Sequence, residues 1–482
     1  MTDTARISFA DRINDAITPL SEVVNAIIFF SVPVFGVSVP LVVIWLLAAA
    51  VILTIALGFI NLRGFGHALA LVSGKTGDSK NASHGQISHF QALTSALSGT
   101  VGLGNIASVP IAIALGGPGA VVWMILAGFF GMSSKFAECA LAVKYRQNHA
   151  DGTVSGGPMY YIEAVFKRRG LGMVGKVLAI FFAVMTMGAS VSIFQVNQAH
   201  AQFVSVTGLS VPLIFGGLMA TGVAIVILGG IGVIGRVTSL LVPAMGVLYL
   251  GAGLIILAAN ASAIPGAIGL IVGGAFGLDA AGGGIVGALI NGIKRATYSS
   301  EAGVGSAAIA HAAVRTKTPL TEGYVALLEP FIDTIIVCTV TALVIVVTGV
   351  YVPYVGVENP PGITMTSAAF ASMFSWYPYI LLVSVILFAF STLVTWAYYG
   401  SQAAAYIFGR KRYVEVTFKL ALSLLLSVGA AVQLSAIVDF IDAMLFGMCI
   451  PNIIALYLLL PELRRDVHAY EATRRVSPGP GS

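Results

Sequence analysis

Apolar segments, each long enough to cross a lipid bilayer, recur along the whole chain and constrain its fold more than any other feature. About 20 apolar residues in α-helical conformation span the hydrocarbon core of a bilayer. Backbone groups inside a bilayer must satisfy their own hydrogen bonds, which favours helices. The sequence therefore predicts an all-α integral membrane protein with about 11 transmembrane helices. We place them at about residues 40–62, 88–114, 117–142, 174–205, 211–230, 232–259, 262–293, 324–350, 372–408, 413–433 and 435–460.

Composition supports a membrane protein and leaves no room for a sizeable soluble domain. Of the 482 residues, 57% are hydrophobic and 9% are charged, whereas a soluble domain carries about 25% charged residues. Cys139, Cys338 and Cys449 lie inside apolar segments, without the spacing of a metal site or a disulfide framework. The net charge of +5 comes from basic residues near the ends of spans. Nucleic acid is therefore not an expected partner, whereas the lipid bilayer is.

The two ends of the chain are expected to lie outside the main bundle. Residues 1–37 carry acids and lack a cleavable signal peptide pattern. Their amphipathic part and the short apolar segment interrupted by Pro33 and Gly36 predict a peripheral segment. Residues 38–63 are expected to form an additional transmembrane helix, and residues 461–482 a cytoplasmic tail.

Basic residues alternate between loops in a way that predicts the orientation of the chain. Lys144 to Lys176 holds six basic residues, Lys294 to Lys317 holds four, and Arg410 to Arg412 gives three in a row. The intervening loops contain no lysine or arginine. Because basic loops stay on the cytoplasmic side, we expect a cytoplasmic C-terminus in the plasma membrane, the inner membrane of a bacterium.

Ten of the predicted spans divide into two sets of five, covering residues 88–260 and 261–460. An odd number of spans in each half makes the halves face opposite ways, as in inverted-repeat transporters. In such proteins the leading helix of each half is discontinuous, and both leading segments here are rich in glycine. The clusters lie at 99–104 and at 273–284, around Asp279. Close helix packing through small residues is the alternative explanation.

An unwound first span would offer backbone groups to a bound ligand. Carbonyls from Ser98 to Val101 could bind a cation. Amides from Gly102 to Asn105, at the positive end of a helix dipole, suit a carboxylate. The hydroxyls of Ser391 and Thr392 could complete a cation site, or could bond the carbonyls of their own helix.

Other polar residues in the apolar segments have two interpretations each. Gln195 and Asn197 could contact a substrate or join two helices. Asp279 could bind or carry a proton, because a charge at midplane depth suggests function, or it could pair with a neighbouring amide. Phe276 and Trp396 would ordinarily be core residues. We expect four further acids to be mainly interfacial: Glu329, Asp333, Asp439 and Asp442.

Seven sequence blocks occur in order between about residues 88 and 400. They are Val101–Ile106, Gly116–Val121, Lys135–Glu138, Gly156–Tyr161, Ser300–Ser306, Ala310–Ala313 and Trp396–Gly400. Together they resemble the alanine or glycine:cation symporter family. Ser300 stands where the family usually has asparagine, and Ser401 where an acid is common. Both positions are expected near span ends, where they bear on gating more than on the pocket.

The resemblance implies a leucine-transporter-like core of ten helices, a 5+5 inverted repeat with two discontinuous helices, plus one additional N-terminal helix. It places the substrate carboxylate on the backbone of Gly102, Gly104 and Asn105, with Thr100 facing the site. It also places Gln195, Phe276 and Trp396 around the substrate side chain. Sodium would contact the backbone of Ser98 and Val101 and the hydroxyls of Ser391 and Thr392.

These inferences predict a sodium-coupled symporter that takes up alanine and/or glycine by alternating access, with no organic cofactor. Proton coupling through Asp279 is the alternative, and a passive channel is a further one. An enzyme is not expected. Gly102–Ala107 matches a dinucleotide fingerprint without a preceding strand, and Ser73–Thr76 resembles a phosphate loop without its first glycine.

Overall fold

The computed structural model describes residues 9–34, 37–75, 84–277, 284–357, 360–372, 376–431 and 435–476. Within these ranges the chain is almost entirely helical and carries two short antiparallel hairpins. The hairpins pair β1 (Ser31–Val34) with β2 (Val37–Pro40), and β3 (Gln147–Asn148) with β4 (Val154–Ser155). The prediction of a helical protein is confirmed.

The first half of the described chain contains α1 to α12. The helices are α1 (Phe9–Ile28), α2 (Leu41–Ala56), α3 (Ile60–Arg63), α4 (Phe65–Val72), α5 (His89–Thr100), α6 (Leu103–Gly116), α7 (Ala120–Lys144), α8 (Pro158–Lys167), α9 (Gly172–Ala189), α10 (Ile193–Thr207), α11 (Pro212–Leu228) and α12 (Gly230–Ala259). Helix α1 packs against the last helix of the chain, so the N-terminal segment is attached to the bundle.

The second half contains α13 to α22, a π-helix and short 3-10 turns. The α-helices are α13 (Ile264–Phe276), α14 (Gly284–Ser300), α15 (Ala307–His311), α16 (Pro319–Ala326), α17 (Leu328–Pro330), α18 (Thr339–Thr348), α19 (Gly362–Ala371), α20 (Tyr377–Phe408), α21 (Arg412–Val428) and α22 (Ser435–Val476). The π-helix covers Phe331–Cys338, and 3-10 turns cover Ala261–Ala263 and Val352–Tyr354. The segment predicted as one span over 262–293 is divided between α13 and α14, and α14 continues to Ser300.

Several helical stretches of the described chain are long and apolar enough to cross a membrane. Six qualify alone: Ala120–Lys144, Gly172–Thr207, Gly230–Ala259, Pro319–Thr348, Tyr377–Phe408 and Asp439–Arg474. The bent pair α5 and α6 adds a seventh. Four shorter apolar helices also occur, at Leu41–Ala56, Pro212–Leu228, Ala261–Phe276 and Gly362–Ala371. The chain is therefore a multi-pass membrane protein, as the apolar segments predict.

The first leading span is interrupted where the sequence predicts a break. Helix α5 ends at Thr100, α6 begins at Leu103, and the two are bent by 44°. A Cβ added to Gly102 would lie 2.8 Å from the Thr392 hydroxyl oxygen, closer than real Cβ contacts. Only glycine therefore lets α20 approach the broken backbone this closely.

The second predicted interruption, at 273–284, lies at the boundary between two helices. Helix α13 ends at Phe276, and α14 begins at Gly284. Residues 278–283, including Asp279, lie outside the described residues. Among the described residues of this interval, Gly274 lies against Gly119, beyond the far end of α6. The predicted interruption at 273–284 otherwise stays a prediction.

A second interruption beside the first break is the segment Glu301–Ser306, between α14 and α15. Its backbone has positive φ at Glu301 (52°), Gly303 (90°) and Gly305 (90°). The end of α14 lies beside the first break, because a Cβ on Gly104 would be 3.6 Å from the Tyr298 carbonyl oxygen. The end of α14 and Glu301 thus meet the first break inside the bundle.

The course of α14 to Ser300 corrects the predicted positions of two basic residues. Lys294 and Arg295 were expected in a cytoplasmic loop, yet both lie within α14. Their charges interact with those of Asp442 and, for Lys294, of Asp439 at the start of α22. Opposite charges can compensate each other inside the bundle, so these two bases say nothing about the orientation of a loop.

Candidate functional site

A cavity of about 40 Å³ lies where the first break meets the end of α14. It is closed by the α9–α10 junction, α20 and α22. Its lining residues are Gly99, Thr100, Gly102, Gly104, Ala189, Ser192, Gln195, Tyr298, Glu301, Trp396, Ile441 and Leu445. Five of the seven predicted substrate-binding residues line this cavity: Thr100, Gly102, Gly104, Gln195 and Trp396.

Asn105 does not line the cavity, but its side chain bonds the backbone of Gly102, which does. Its side-chain oxygen accepts a hydrogen bond from the Gly102 amide at 2.8 Å. Its side-chain nitrogen donates to the Ser299 hydroxyl at 2.8 Å and to the Asp333 carboxylate at 2.6 Å. Asn105 therefore joins the first break to α14 and to the π-helix, and it fixes the start of α6.

The predicted cation ligands lie together on α5 and α20. The Thr392 hydroxyl donates to the Ser98 carbonyl oxygen at 3.0 Å, and the Ser98 hydroxyl donates to the Ser391 carbonyl oxygen at 2.8 Å. Val101 is buried at the break beside them. The Ser391 hydroxyl instead donates to the Phe388 carbonyl of its own helix at 3.0 Å.

One hydroxyl that the sequence analysis overlooked completes this junction. Thr395 donates to the Ser95 carbonyl oxygen and to the Ser98 hydroxyl oxygen, both at 3.1 Å. It lies three residues beyond Thr392, about one helical turn, on the face of α20 that meets α5. Its helical spacing from Ser391 and Thr392 is the sequence signal that could have identified it.

Gln195 and Trp396 contribute a polar and an apolar wall. The Gln195 side-chain oxygen is buried and has no hydrogen-bond partner among the described residues. Trp396 is buried and packs edge-on against Tyr399, with ring centroids 5.5 Å apart. The cavity therefore has a free acceptor on one side and a large ring on the other.

Phe276 lies away from this cavity. Its side chain is 59% exposed, and its ring packs against Trp123 with centroids 5.8 Å apart. In the described structure Tyr298 supplies the aromatic ring on the α14 side of the cavity. Asn197, the other amide considered from the sequence, does not line it either.

Glu301 is a cavity residue that the sequence analysis did not single out, although it belongs to the block Ser300–Ser306. It is 4% exposed, and it is one of two non-glycine residues with positive φ in the described chain. Its carboxylate accepts a hydrogen bond from the Ser306 hydroxyl. An acid in an apolar segment was the available signal.

Two acids that were expected to be interfacial are fully buried. Glu329 pairs with His311 at 2.6 Å and with Lys135 at 3.2 Å. Asp333 accepts hydrogen bonds from Asn105, Ser299 and Thr334. The prediction is wrong for both acids, because nearby bases and donors compensate their charges away from water.

Most of the chain is similar to one family of known proteins. Residues 22–480 match the model of the sodium:alanine symporter family. The chain belongs to the sodium:alanine symporter family. This is a family of transporters that carry an amino acid with a cation, and not of enzymes.

Two curated relatives and one solved structure illustrate the similarity. The sodium/alanine symporter AgcS of Methanococcus maripaludis is 38% identical over 90% of this chain and 95% of its own length. The putative sodium/proton-dependent alanine carrier YrbD of Bacillus subtilis is 35% identical over 82% and 83%. The structure of MhsT in complex with L-phenylalanine matches 80% of this symporter and 99% of MhsT, with a TM-score of 0.54 at 16% identity. That structural match establishes a leucine-transporter-like fold.

Proposed function

We propose that the symporter couples the uptake of alanine and/or glycine to sodium by alternating access. The observation that carries this proposal is the small cavity at the first break, where the start of α6, the Gln195 oxygen and the Trp396 ring converge. Membership in a sodium:alanine symporter family and the name of its relative AgcS support the same substrate and ion.

In this proposal the substrate carboxylate binds at the start of α6, over Gly102 and Gly104. The first amides of a helix have no partner within the helix, and the helix dipole favours a negative charge there. Asn105 acts by positioning that turn, and Thr100 and Gln195 supply polar contacts. Trp396 and Tyr298 limit the side chain, so small amino acids fit best; Phe276 stays a sequence prediction.

Sodium in this proposal lies between α5 and α20. Oxygen atoms suit a hard cation, and the junction offers the carbonyls of Ser98 and Val101 with the hydroxyls of Ser391 and Thr392. The cross-helix contacts of Ser98 with Thr392 and Ser391, at 3.0 and 2.8 Å, support this set. No organic cofactor is needed.

The larger architecture follows the same proposal. We assign the inverted repeats to residues 88–260 and 261–460, the additional helix to 38–63, a peripheral role to 1–37, and a cytoplasmic tail to 461–482. We also propose the plasma membrane, the inner membrane in a bacterium, with a cytoplasmic C-terminus. Proton coupling through Asp279 remains the alternative, and the name of the relative YrbD favours testing it.

Binding of radiolabelled alanine to the purified symporter tests the proposed ligand pair. We expect saturable binding that requires sodium and that unlabelled glycine displaces, whereas tryptophan does not. Equal binding after replacement of sodium by choline at fixed pH would contradict sodium coupling. Displacement by large amino acids as effective as that by glycine would contradict the assigned pocket.

A further inference from the structure

Glu301 belongs to a buried cluster of ionisable side chains that the proposed transport mechanism does not use. The cluster joins α5, α7 and the segment from Glu301 to Asp333. Its acids are Glu138, Glu301, Glu322, Glu329 and Asp333, and its bases are Lys135, His89 and His311. All eight residues are at most 4% exposed.

Within this cluster the acids outnumber the bases. Five carboxyl groups face Lys135, two histidines and, at the cluster's edge, Arg146, whose charge interacts with Glu322. Even with both histidines charged, five acids against four bases leave one negative charge (5 − 4 = 1). An uncompensated charge away from water is very costly, so one carboxyl group of this cluster should carry a proton.

Three of the five acids have strong partners. Glu322 lies 2.5 Å from both His89 and His311. Glu329 is paired with His311 and Lys135. Asp333 accepts three hydrogen bonds from neutral donors, as described above. These three carboxylates are the best stabilised in their ionised form.

The remaining two acids, Glu138 and Glu301, have weaker partners. Glu138 accepts a hydrogen bond from Asn452 at 2.8 Å, and its other oxygen has no partner in the described part of the chain. Glu301 accepts a hydrogen bond from Ser306, and the charge of Lys135 acts on both acids. Of these two, only Glu301 lines the cavity beside Gly102 and Gly104.

We propose that Glu301 is the subsite for the substrate's ammonium group and that it exchanges its proton for that group. In the empty site the Glu301 carboxyl group is protonated. When the zwitterion binds, its carboxylate lies at the start of α6 and its ammonium group lies against Glu301. The carboxyl group then loses its proton to water, and the resulting carboxylate forms an ion pair with the ammonium group. This inference rests on the proposed function, because it requires an amino acid substrate.

Several other groups surround Glu301 and set the balance of charge. They include Lys135 on α7, Tyr298 on α14, Glu329 on α17, Asp333 on the π-helix and Tyr399 on α20. Tyr298 also bonds Asp442 of α22. Lys135 is the one base in this set, and it is already paired with Glu329, so the arriving ammonium group adds a charge that the surroundings lack.

Isothermal titration of alanine into the purified symporter tests the proposal. Titrations in phosphate and in Tris, which differ in ionisation enthalpy, at constant sodium and pH reveal any proton exchange. We expect release of up to about one proton per alanine, and affinity that rises by up to about tenfold per pH unit between pH ~6 and ~8. Alanine itself stays a zwitterion over this range. Heats and affinities independent of buffer and pH would overturn the proposal.

Two matched variants locate the proton. Glu301→Gln should abolish proton release and make alanine affinity independent of pH, whereas Glu138→Gln, next to the same lysine but outside the cavity, should keep the release. The opposite pattern would overturn the assignment. If Glu301→Gln cannot be purified, Glu301→Asp is the substitute variant. The proposal predicts that Glu301→Asp still releases a proton when alanine binds. Absence of any alanine binding would instead contradict the proposed function, so the two failures are distinguishable.

Discussion

At the scale of single residues, the account depends on contacts between the first break and α20. Ser98, Thr392 and Thr395 form a hydrogen-bonded group that spans both helices. The sequence could identify Ser391 and Thr392 as adjacent hydroxyls in an apolar stretch. It could not decide which hydroxyl crosses to α5, because that depends on the rotation of α20. The structure shows Thr392 bonding across and Ser391 bonding its own helix.

Thr392→Ala should raise the sodium concentration needed for half-maximal alanine uptake by about tenfold, because one cation ligand of roughly 1.4 kcal/mol is lost. The relative uptake of alanine and glycine should stay unchanged. Sodium titrations of uptake in proteoliposomes measure the effect. Thr348→Ala, at a hydroxyl that bonds only its own helix, is the control. An unaltered sodium requirement in Thr392→Ala would exclude this residue as a ligand.

Gly102→Ala should abolish uptake, because its Cβ would lie 2.8 Å from the Thr392 hydroxyl oxygen and would force α20 away from the break. Gly246→Ala, which meets nothing within 4 Å inside helix α12, is the matched control and should transport normally. Alanine uptake by equal amounts of folded protein compares the two. Wild-type transport by Gly102→Ala would show that α20 need not approach the break.

At the scale of helical elements, the positions of many helices could be predicted from the lengths of the apolar segments. The first break was predictable because three glycines occur within six residues there. The interruption at 301–306 was not predicted, because 273–284 contains more glycine than 301–306. Which interruption faces which depends on the packing of α14 along α6, and glycine content does not encode it.

The buried pair between α7 and α17 should stabilise the bundle. Lys135→Met would leave Glu329 without its lysine, at a cost of about 3–5 kcal/mol, and should lower the melting temperature markedly. Lys176→Met, at an exposed position on α9, should have almost no effect. Thermal unfolding in one detergent compares both variants. Adding Glu329→Gln to Lys135→Met should recover part of the loss, and a further decrease would contradict the pairing.

At the scale of the whole molecule, the proposed opposite orientations of the two halves would allow one site to face either side of the membrane. The described helices place the cavity where elements of both proposed repeats meet, since α5, α6 and α10 precede residue 260 and α14 and α20 follow it. The two halves stay a prediction from the expected number of spans. The sequence could not predict the buried ionic cluster, because its members are scattered between His89 and Asp333 and meet only in the folded chain.

The proposed orientation predicts which side of the membrane labels single cysteines. In a background with Cys139, Cys338 and Cys449 replaced by alanine, Arg410→Cys should react with a membrane-impermeant maleimide only after the cells are opened. Leu209→Cys, between α10 and α11, should react in intact cells. The reverse pattern would place the C-terminus outside.

The most direct test of the central claim is alanine accumulation in proteoliposomes driven by an inward sodium gradient and an inside-negative membrane potential. A sodium ion crossing at ~100 mV gains about 2.3 kcal/mol, and a tenfold gradient adds about 1.4 kcal/mol. The account predicts that internal radiolabelled alanine rises transiently well above its external concentration, and that a sodium ionophore abolishes the rise. Equilibration without accumulation, or equal accumulation without sodium at fixed pH, would contradict it.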